Sequence, residues 1–292
     1  MTIFRKIISN DSLWGEFYEP EKPKLNLGKG LRVVLFGSCN CGNNTLKNLS
    51  LFEKKYPTLL NVVGVVTDDP VDPRARISLK KRIWSQYSPD ERSSLREMII
   101  NTSMEIGIPC YTGAVKTDYF RNIYKSWNPD AIIMFCFGQK LDPFLYEYPV
   151  MGAYNFHPSD LPKQIGAGTQ PFQNAIRNGL KTSPTVIHQV TDLIDMGPIV
   201  GVSTPVNICL QDGTYPQSIL TLLEKITSIG AWMAIQLITV IVSRRAAGKT
   251  GPVDWIDFSM ALPPEVRQLL MAPATNDITE SYEVPVHPVL LQ

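Results

Sequence analysis

The chain has 292 residues, 44% of them hydrophobic and 19% charged, and a formal net charge of +1. This composition is typical of a globular protein with a sizeable core, and the near-zero charge does not favour a nucleic-acid partner, because such proteins usually carry a basic surplus. The five cysteines lack the spacing of a zinc site, so we expect no metal and favour the reducing cytoplasm over an oxidising compartment.

The predicted elements begin with an N-terminal extension over residues 1–30, whose prolines disfavour a helix. Residues 31–37 form an apolar run that ends in glycine, which is typical of a buried parallel strand. Helical spacing over 43–53 and a second apolar run at 62–66 complete a βαβ unit. Further strands are predicted at 130–135, 152–157, 185–190 and 198–202. The alternation predicts an α/β fold with a mostly parallel sheet and helices on both faces.

The segment 67–88 interrupts this alternation and is predicted to be a loop insertion. A helix follows it, because Ser88 and Glu91 are spaced as a capping box and Gly107 is well placed to end the helix. The insertion carries Arg74 and Arg76 and leaves a strand at its carboxyl end, where ligands collect in such sheets. These arginines could bind an anionic substrate group, and a solvated basic loop is the alternative.

The C-terminal part, residues 206–292, is predicted to be one long helix and a tail that packs on the body. The helix is predicted over 214–247, with Thr214 and Gln217 as a capping box. Its longest apolar stretch, 229–242, is too short to cross a bilayer, so a buried helix and no membrane are expected.

A glycine-rich segment, 37–43, lies between the first strand and its helix. Such a turn can direct backbone N–H groups at an anion, which makes Ser38, Asn40 and Asn43 candidate substrate-binding residues. A tight turn that uses Gly and Asn for steric reasons explains the pattern equally well.

Asn155 and His157 form the strongest chemical signal. Residues two apart on a strand point to the same face, so both side chains project at a carboxyl end where open α/β sheets bind ligands. An amide and an imidazole side by side can stabilise an oxyanion. Asp192 and Asp195 follow the strand that carries His188, and either carboxylate could orient the imidazole or accept a proton.

The motif that starts at Asn155 (Asn-x-His-Pro-Ser-x-Leu-Pro) and the one that starts at Ile194 (Ile-Asp-x-Gly-Pro-Ile) occur in the order and spacing of the folate-dependent formyltransferases. Residues 31–205 resemble that family. The resemblance implies a Rossmann-like formyltransferase fold over this catalytic domain. It implies catalytic roles for Asn155, His157 and Asp195, which favours Asp195 over Asp192. We expect Asn155 and protonated His157 to stabilise the oxyanion of the reaction.

The same resemblance implies 10-formyltetrahydrofolate as co-substrate. Its contacts are expected from two segments, at Phe135, Phe137, Gly138, Gln139, Leu141, Thr191 and Asp192. The favoured acceptor is a small-molecule amine, such as an amino sugar nucleotide or a hydroxyornithine. The alternatives are a methionyl-tRNA formyltransferase, a formyltetrahydrofolate hydrolase and a non-enzymatic folate-binding protein. The family's arginine near 163–166 is replaced here, and a monomer and a homodimer both remain open.

Overall fold

The computed structural model describes residues 4–8, 15–25, 29–71, 84, 87–168, 170–217, 219–260 and 262–274. The predicted substrate contacts of Arg74 and Arg76 lie outside these residues, as do most of the 67–88 insertion and the end of the C-terminal tail. The predicted domain boundaries at residues 30 and 205 stay a prediction.

Within the described residues, nine strands form one sheet in the order β1-β2-β5-β4-β3-β6-β7-β9-β10. Its strands are β1 Phe4–Ile8, β2 Gly15–Pro20, β3 Leu31–Gly37, β4 Leu60–Thr67, β5 Cys110–Gly113, β6 Ala131–Phe135, β7 Ala153–His157, β9 Val186–Gln189 and β10 Ile199–Val202. A separate pair is formed by β8 Thr182–Ser183 and β11 Val206–Asn207. The helices are α1 Cys39–Lys55, α2 Pro89–Ile106, α3 Asp118–Trp127, α4 Pro143–Tyr146, α5 Pro171–Arg177, α6 Ile219–Ala246 and α7 Pro264–Met271.

The centre of the sheet is parallel, from β5 through β4, β3 and β6 to β7, and antiparallel strands flank it on both sides. Successive residues of β3 enter two different cores, because strand side chains alternate between faces. Val33 and Leu35 belong to the core that includes residues of α1 and α6, whereas Val34 and Phe36 belong to the core that includes residues of α3. The predicted α/β fold, with helices on both faces of a mostly parallel sheet, is confirmed.

The N-terminal segment, predicted to be an extension in which prolines disfavour a helix, contributes two strands to this sheet. β2 pairs antiparallel with β5, and β1 pairs antiparallel with β2. Glu16 of β2 is buried and forms an ion pair with Arg96 of α2 at 2.7 Å. A buried charge paired in this way breaks the apolar pattern by which strands are found in a sequence, which explains why β2 is hard to predict.

Helix boundaries agree with the sequence signals at α2 and differ at α6. The Ser88–Glu91 capping box forms at the start of α2, and Gly107 ends it with a left-handed backbone, φ 83°. In contrast, α6 begins at residue 219, and the Thr214 hydroxyl, expected to cap it, instead donates to Asp212. The 26-residue stretch Thr221–Ala246 has the length and hydropathy of a membrane span, but most of it is buried inside the protein, as in a core helix.

Candidate active site

The carboxyl end of β7 carries Asn155 and His157, which are 9% and 8% exposed. β9 runs antiparallel beside β7 and pairs His188 directly with Asn155. The strand geometry therefore brings the Asn155 amide and the imidazoles of His157 and His188 together. The spacing in the sequence predicts this for Asn155 and His157.

Asp195 reaches the same place from the loop that follows β9. Its backbone is left-handed, φ 56°, a conformation that Asp adopts more readily than most residues. The Gly168 N–H donates to Asp195 Oδ2 at 2.8 Å and holds the carboxylate in position. Gly197 is required because the loop passes against β9, where a Cβ at this position would lie 1.8 Å from the Gln189 carbonyl oxygen. The glycine of the Asp-x-Gly-Pro motif is thus a steric requirement of the loop.

Hydrogen bonds connect these side chains into one network. Asn155 Nδ2 donates to His188 Nε2 at 3.0 Å and to Asp195 Oδ1 at 3.2 Å, so both amide hydrogens are used. His188 Nε2 then accepts from Asn155, and His188 Nδ1 donates to the Gln189 carbonyl at 2.9 Å. His157 Nε2 lies 2.8 Å from the Gly166 carbonyl, to which it donates, and His157 Nδ1 lies 3.8 Å from Asp195 Oδ1.

The protonation states follow from burial and from these contacts. Burial lowers the pKa of His157 below its ordinary value, although the Asp195 carboxylate and the Gly166 carbonyl oppose this shift. Burial alone would raise the pKa of Asp195, but the neighbouring imidazoles of His188 and His157 and the Gly168 N–H lower it overall. The free site therefore holds a neutral His157 beside an ionised Asp195 near neutral pH. The protonated His157 expected during the reaction stays a prediction, which the free site does not test.

A cavity of about 780 Å³ opens beside the network and is large enough for a ligand of drug size. Asn155, His157, His188 and Asp195 form part of its wall. The predicted folate contacts that also line it are Phe137, Gly138, Gln139, Leu141 and Thr191. The structure thus brings both predicted segments, 137–141 and 191–195, to one cavity. Among the described residues, no group of three or more His, Cys, Asp or Glu side chains is arranged to hold a metal ion.

Two predicted folate residues do not line this cavity. Phe135 is 1% exposed and points into the core, where its ring packs against Phe156 with the centroids 5.8 Å apart. Asp192 points outward, with its side chain 64% exposed and 3.6 Å from the Lys140 ammonium. Because alternate residues of β6 face opposite sides of the sheet, the neighbouring Met134 reaches the cavity in place of Phe135.

The predicted substrate residues of the segment 37–43 also lie away from the cavity lining. α1 begins at Cys39, so Asn40 and Asn43 belong to the helix and not to a glycine-rich loop. Ser38 is fully buried and donates to Asp68, whereas the Asn40 amide donates to Glu224 of α6 at 3.3 Å. Asn43 is 1% exposed. These three residues therefore do not line the cavity, and their role in substrate binding stays a prediction.

His188 is the site residue that the sequence analysis did not propose. It is 3% exposed, and its Nε2 lies 3.4 Å from Asp195 Oδ1. The available signal was its position on a predicted strand just before the loop that carries Asp195. Antiparallel pairing of that strand with β7, which no sequence pattern indicated, is what places His188 opposite Asn155.

Comparison with known proteins identifies the family. The sequence model of formyl transferase matches residues 31–222. The chain belongs to the formyl transferase family. The match includes Asn155, His157, His188 and Asp195, so all four network residues lie within the family's shared region.

The relatives in sequence are methionyl-tRNA formyltransferases. The protein of Kosmotoga olearia is 30% identical over 171 residues, which is 58% of this chain and 47% of that protein. The protein of Dictyoglomus turgidum is 27% identical over 225 residues, 76% of this chain and 61% of that protein. The chain thus spans about half the length of the curated relatives it matches.

Solved structures show the same fold. Glycinamide ribonucleotide transformylase 1 from Symbiobacterium toebii superposes with a TM-score of 0.52 at 16% identity, over 78% of this chain and 93% of that one. Phosphoribosylglycinamide formyltransferase from Bacillus halodurans gives a TM-score of 0.51 at 18% identity, over 75% and 97%. At this identity the likeness concerns the fold.

Proposed function

We propose that this protein transfers a formyl group from 10-formyltetrahydrofolate to an amine. The observation that carries the proposal is the convergence of Asn155, His157 and Asp195 on the wall of one large cavity, in a chain of the formyl transferase family. The segment 137–141 lines the same cavity and supplies a surface for the folate next to the reacting groups.

In the proposed reaction the amine nitrogen attacks the formyl carbon, and the carbonyl oxygen becomes an oxyanion. Asn155 Nδ2 donates to that oxyanion, exchanging one of its two present hydrogen bonds for it. Neutral His157 accepts the amine proton at Nδ1, and the Asp195 carboxylate, 3.8 Å away, stabilises the imidazolium. The bond from the formyl carbon to N10 then breaks, and His157 returns the proton to N10 of tetrahydrofolate.

The relatives suggest a different acceptor from the small-molecule amine that the sequence led us to expect. Their names favour methionyl-tRNA, and the named solved structures favour a glycinamide ribonucleotide, ahead of an amino sugar nucleotide or hydroxyornithine. A net charge of +1 does not oppose a tRNA acceptor strongly, because five basic residues are concentrated between residues 74 and 82. We place methionyl-tRNA first among the acceptors to test.

The deciding experiment is an acceptor screen with 10-formyltetrahydrofolate, in which the release of tetrahydrofolate is followed by absorbance. We expect release that depends on one of four amines: methionyl-tRNA, glycinamide ribonucleotide, an amino sugar nucleotide or hydroxyornithine. If tetrahydrofolate is released equally fast without any amine, the reaction is hydrolysis and not formyl transfer. If the protein binds folate but none of the four amines supports turnover, a non-enzymatic folate-binding protein is the better interpretation. The Asp195→Asn variant serves as the inactive control.

A further inference from the structure

The side chain of Asp68 is fully buried where the chain leaves β4, outside the cavity lining. We propose that Asp68 is a positioning residue that holds the folate-facing loop, defined as residues 137–141, in the shape that binds the folate. The inference rests on the proposed function, since that loop forms one wall of the cavity.

The carboxylate contacts the folate-facing loop directly. The Gly138 N–H donates to Asp68 Oδ2 at 2.6 Å, and the Gln139 amide lies 3.5 Å from Asp68 Oδ1. A hydrogen bond from a backbone N–H to an ionised carboxylate is shorter and stronger than one to a neutral acceptor. One side of the loop is thereby tied to Asp68 while its other side faces the cavity.

Ser38 fixes the carboxylate itself. The Ser38 hydroxyl donates to Asp68 Oδ2 at 3.1 Å and accepts from the Asp68 N–H at 3.1 Å. Ser38 is the single residue between β3 and α1, so it is held by two regular elements. The residue expected to bind the acceptor therefore supports the folate side of the site.

Gln139 extends the connection to a third strand. Its amide donates to the Gly113 carbonyl at 2.8 Å, and its carbonyl accepts from the Val115 N–H at 3.2 Å. The ends of β3, β4 and β5 are thus joined to the folate-facing loop through Ser38, Asp68 and Gln139. The Gln139 amide is used in this scaffold, so its contribution to the cavity is mainly one of shape.

Asp69 provides a matched control, because it is also buried but faces elsewhere. It forms an ion pair with Arg96 of α2 and accepts from the Val71 N–H at 2.8 Å. Asparagine at either position keeps the size of the side chain and removes its charge. In Asp68→Asn, the new NH₂ group also faces a loop donor, which is Gln139 Nε2 in the place of Oδ1 or the Gly138 N–H in the place of Oδ2.

The test compares Asp68→Asn and Asp69→Asn with the wild type in three measurements: the KM for 10-formyltetrahydrofolate, the melting temperature, and amide hydrogen exchange over residues 136–141. We expect Asp68→Asn to raise the folate KM about tenfold or more, to leave the acceptor KM within about twofold, and to speed exchange in the loop. Asp69→Asn should lower the melting temperature without either effect. We expect Ser38→Ala to raise the folate KM less in the Asp68→Asn background than in the wild type. Both substitutions act through the same contact, so their effects should not add.

An unchanged folate KM in Asp68→Asn, with or without a lower melting temperature, would overturn the proposal, since the carboxylate would then be purely structural. Equal increases in both variants would overturn it too. If the wild type binds no reduced folate, the proposed function fails separately. Exchange over residues 136–141 then decides alone whether Asp68 holds the loop.

Discussion

Replacing Asp195 by asparagine tests the charge in the proposed mechanism without disturbing the loop. Asparagine tolerates the left-handed backbone at this position and can still accept from the Gly168 N–H. It removes the negative charge 3.8 Å from His157 Nδ1, and its NH₂ group, in the place of Oδ1, no longer accepts from Asn155 Nδ2. At an effective dielectric constant of about 20, that charge stabilises an imidazolium by about 4 kcal/mol, or roughly three orders of magnitude in rate.

The asparagine dipole restores part of this energy, so we expect Asp195→Asn to lower kcat by about a hundred- to a thousandfold. The assay is single-turnover release of tetrahydrofolate with the acceptor found in the screen, alongside a thermal melt. Asp192→Asn is the matched control and should stay within a few-fold of the wild type, because Asp192 is exposed and paired with Lys140. A loss of less than tenfold in a folded Asp195→Asn protein would refute the proposed role of the charge.

Four further predictions concern the same site. His157→Ala should lower kcat by about two to three orders of magnitude, and turnover within a few-fold of the wild type would contradict the mechanism. In a pH profile, kcat/KM should be constant near neutral pH and fall on acidification, with a midpoint below the ordinary histidine pKa, because burial lowers the pKa of His157 and its neutral form is the active one. The midpoint should move lower still in Asp195→Asn, since Asp195 raises that pKa; an upward shift would contradict the assignment. Saturating 5-formyltetrahydrofolate should raise the melting temperature by a few degrees, as any ligand of the folded state does, and no shift would argue against a folate site. Charge reversal at Arg74 and Arg76 should raise the acceptor KM and leave the folate KM unchanged, whereas a change in neither would make the basic segment a surface feature.

The core of the fold could be predicted because its strands are continuous apolar runs. β3 is fully buried from Val33 to Phe36, and such a run between turn residues has few alternatives to a central parallel strand. β2 could not be predicted in this way. Its Glu16 is buried in an ion pair with Arg96, 80 positions along the chain, and no local pattern reveals such a partner.

The site residues also fall into those that a local sequence pattern predicts and those that it does not. Asn155 and His157 were predictable because their spacing on one strand puts them on one face, and Asp195 because its motif matched the family. Phe135 is next to Met134 on β6, so its side chain points to the opposite face and enters the core, while Met134 lines the cavity. Predicting the roles of Ser38 and Asn40 would have required the exact start of α1, which lies four residues earlier than the apolar spacing indicates.

His188 and Asp68 were missed for one shared physical reason: each meets its partner through the packing of strands that are distant along the chain. His188 meets Asn155 only because β9 runs antiparallel to β7, and Asp68 meets Gly138 only because β4 and β6 both lie next to β3. In each of these two contacts, the sequence predicted a role for one residue (Asn155 or Gly138) and none for its partner. The motif residues supply the proposed chemistry, while His188 and Asp68 fix where that chemistry occurs. A variant series limited to the family motifs would therefore measure the loss of reacting groups and overlook the residues that position them.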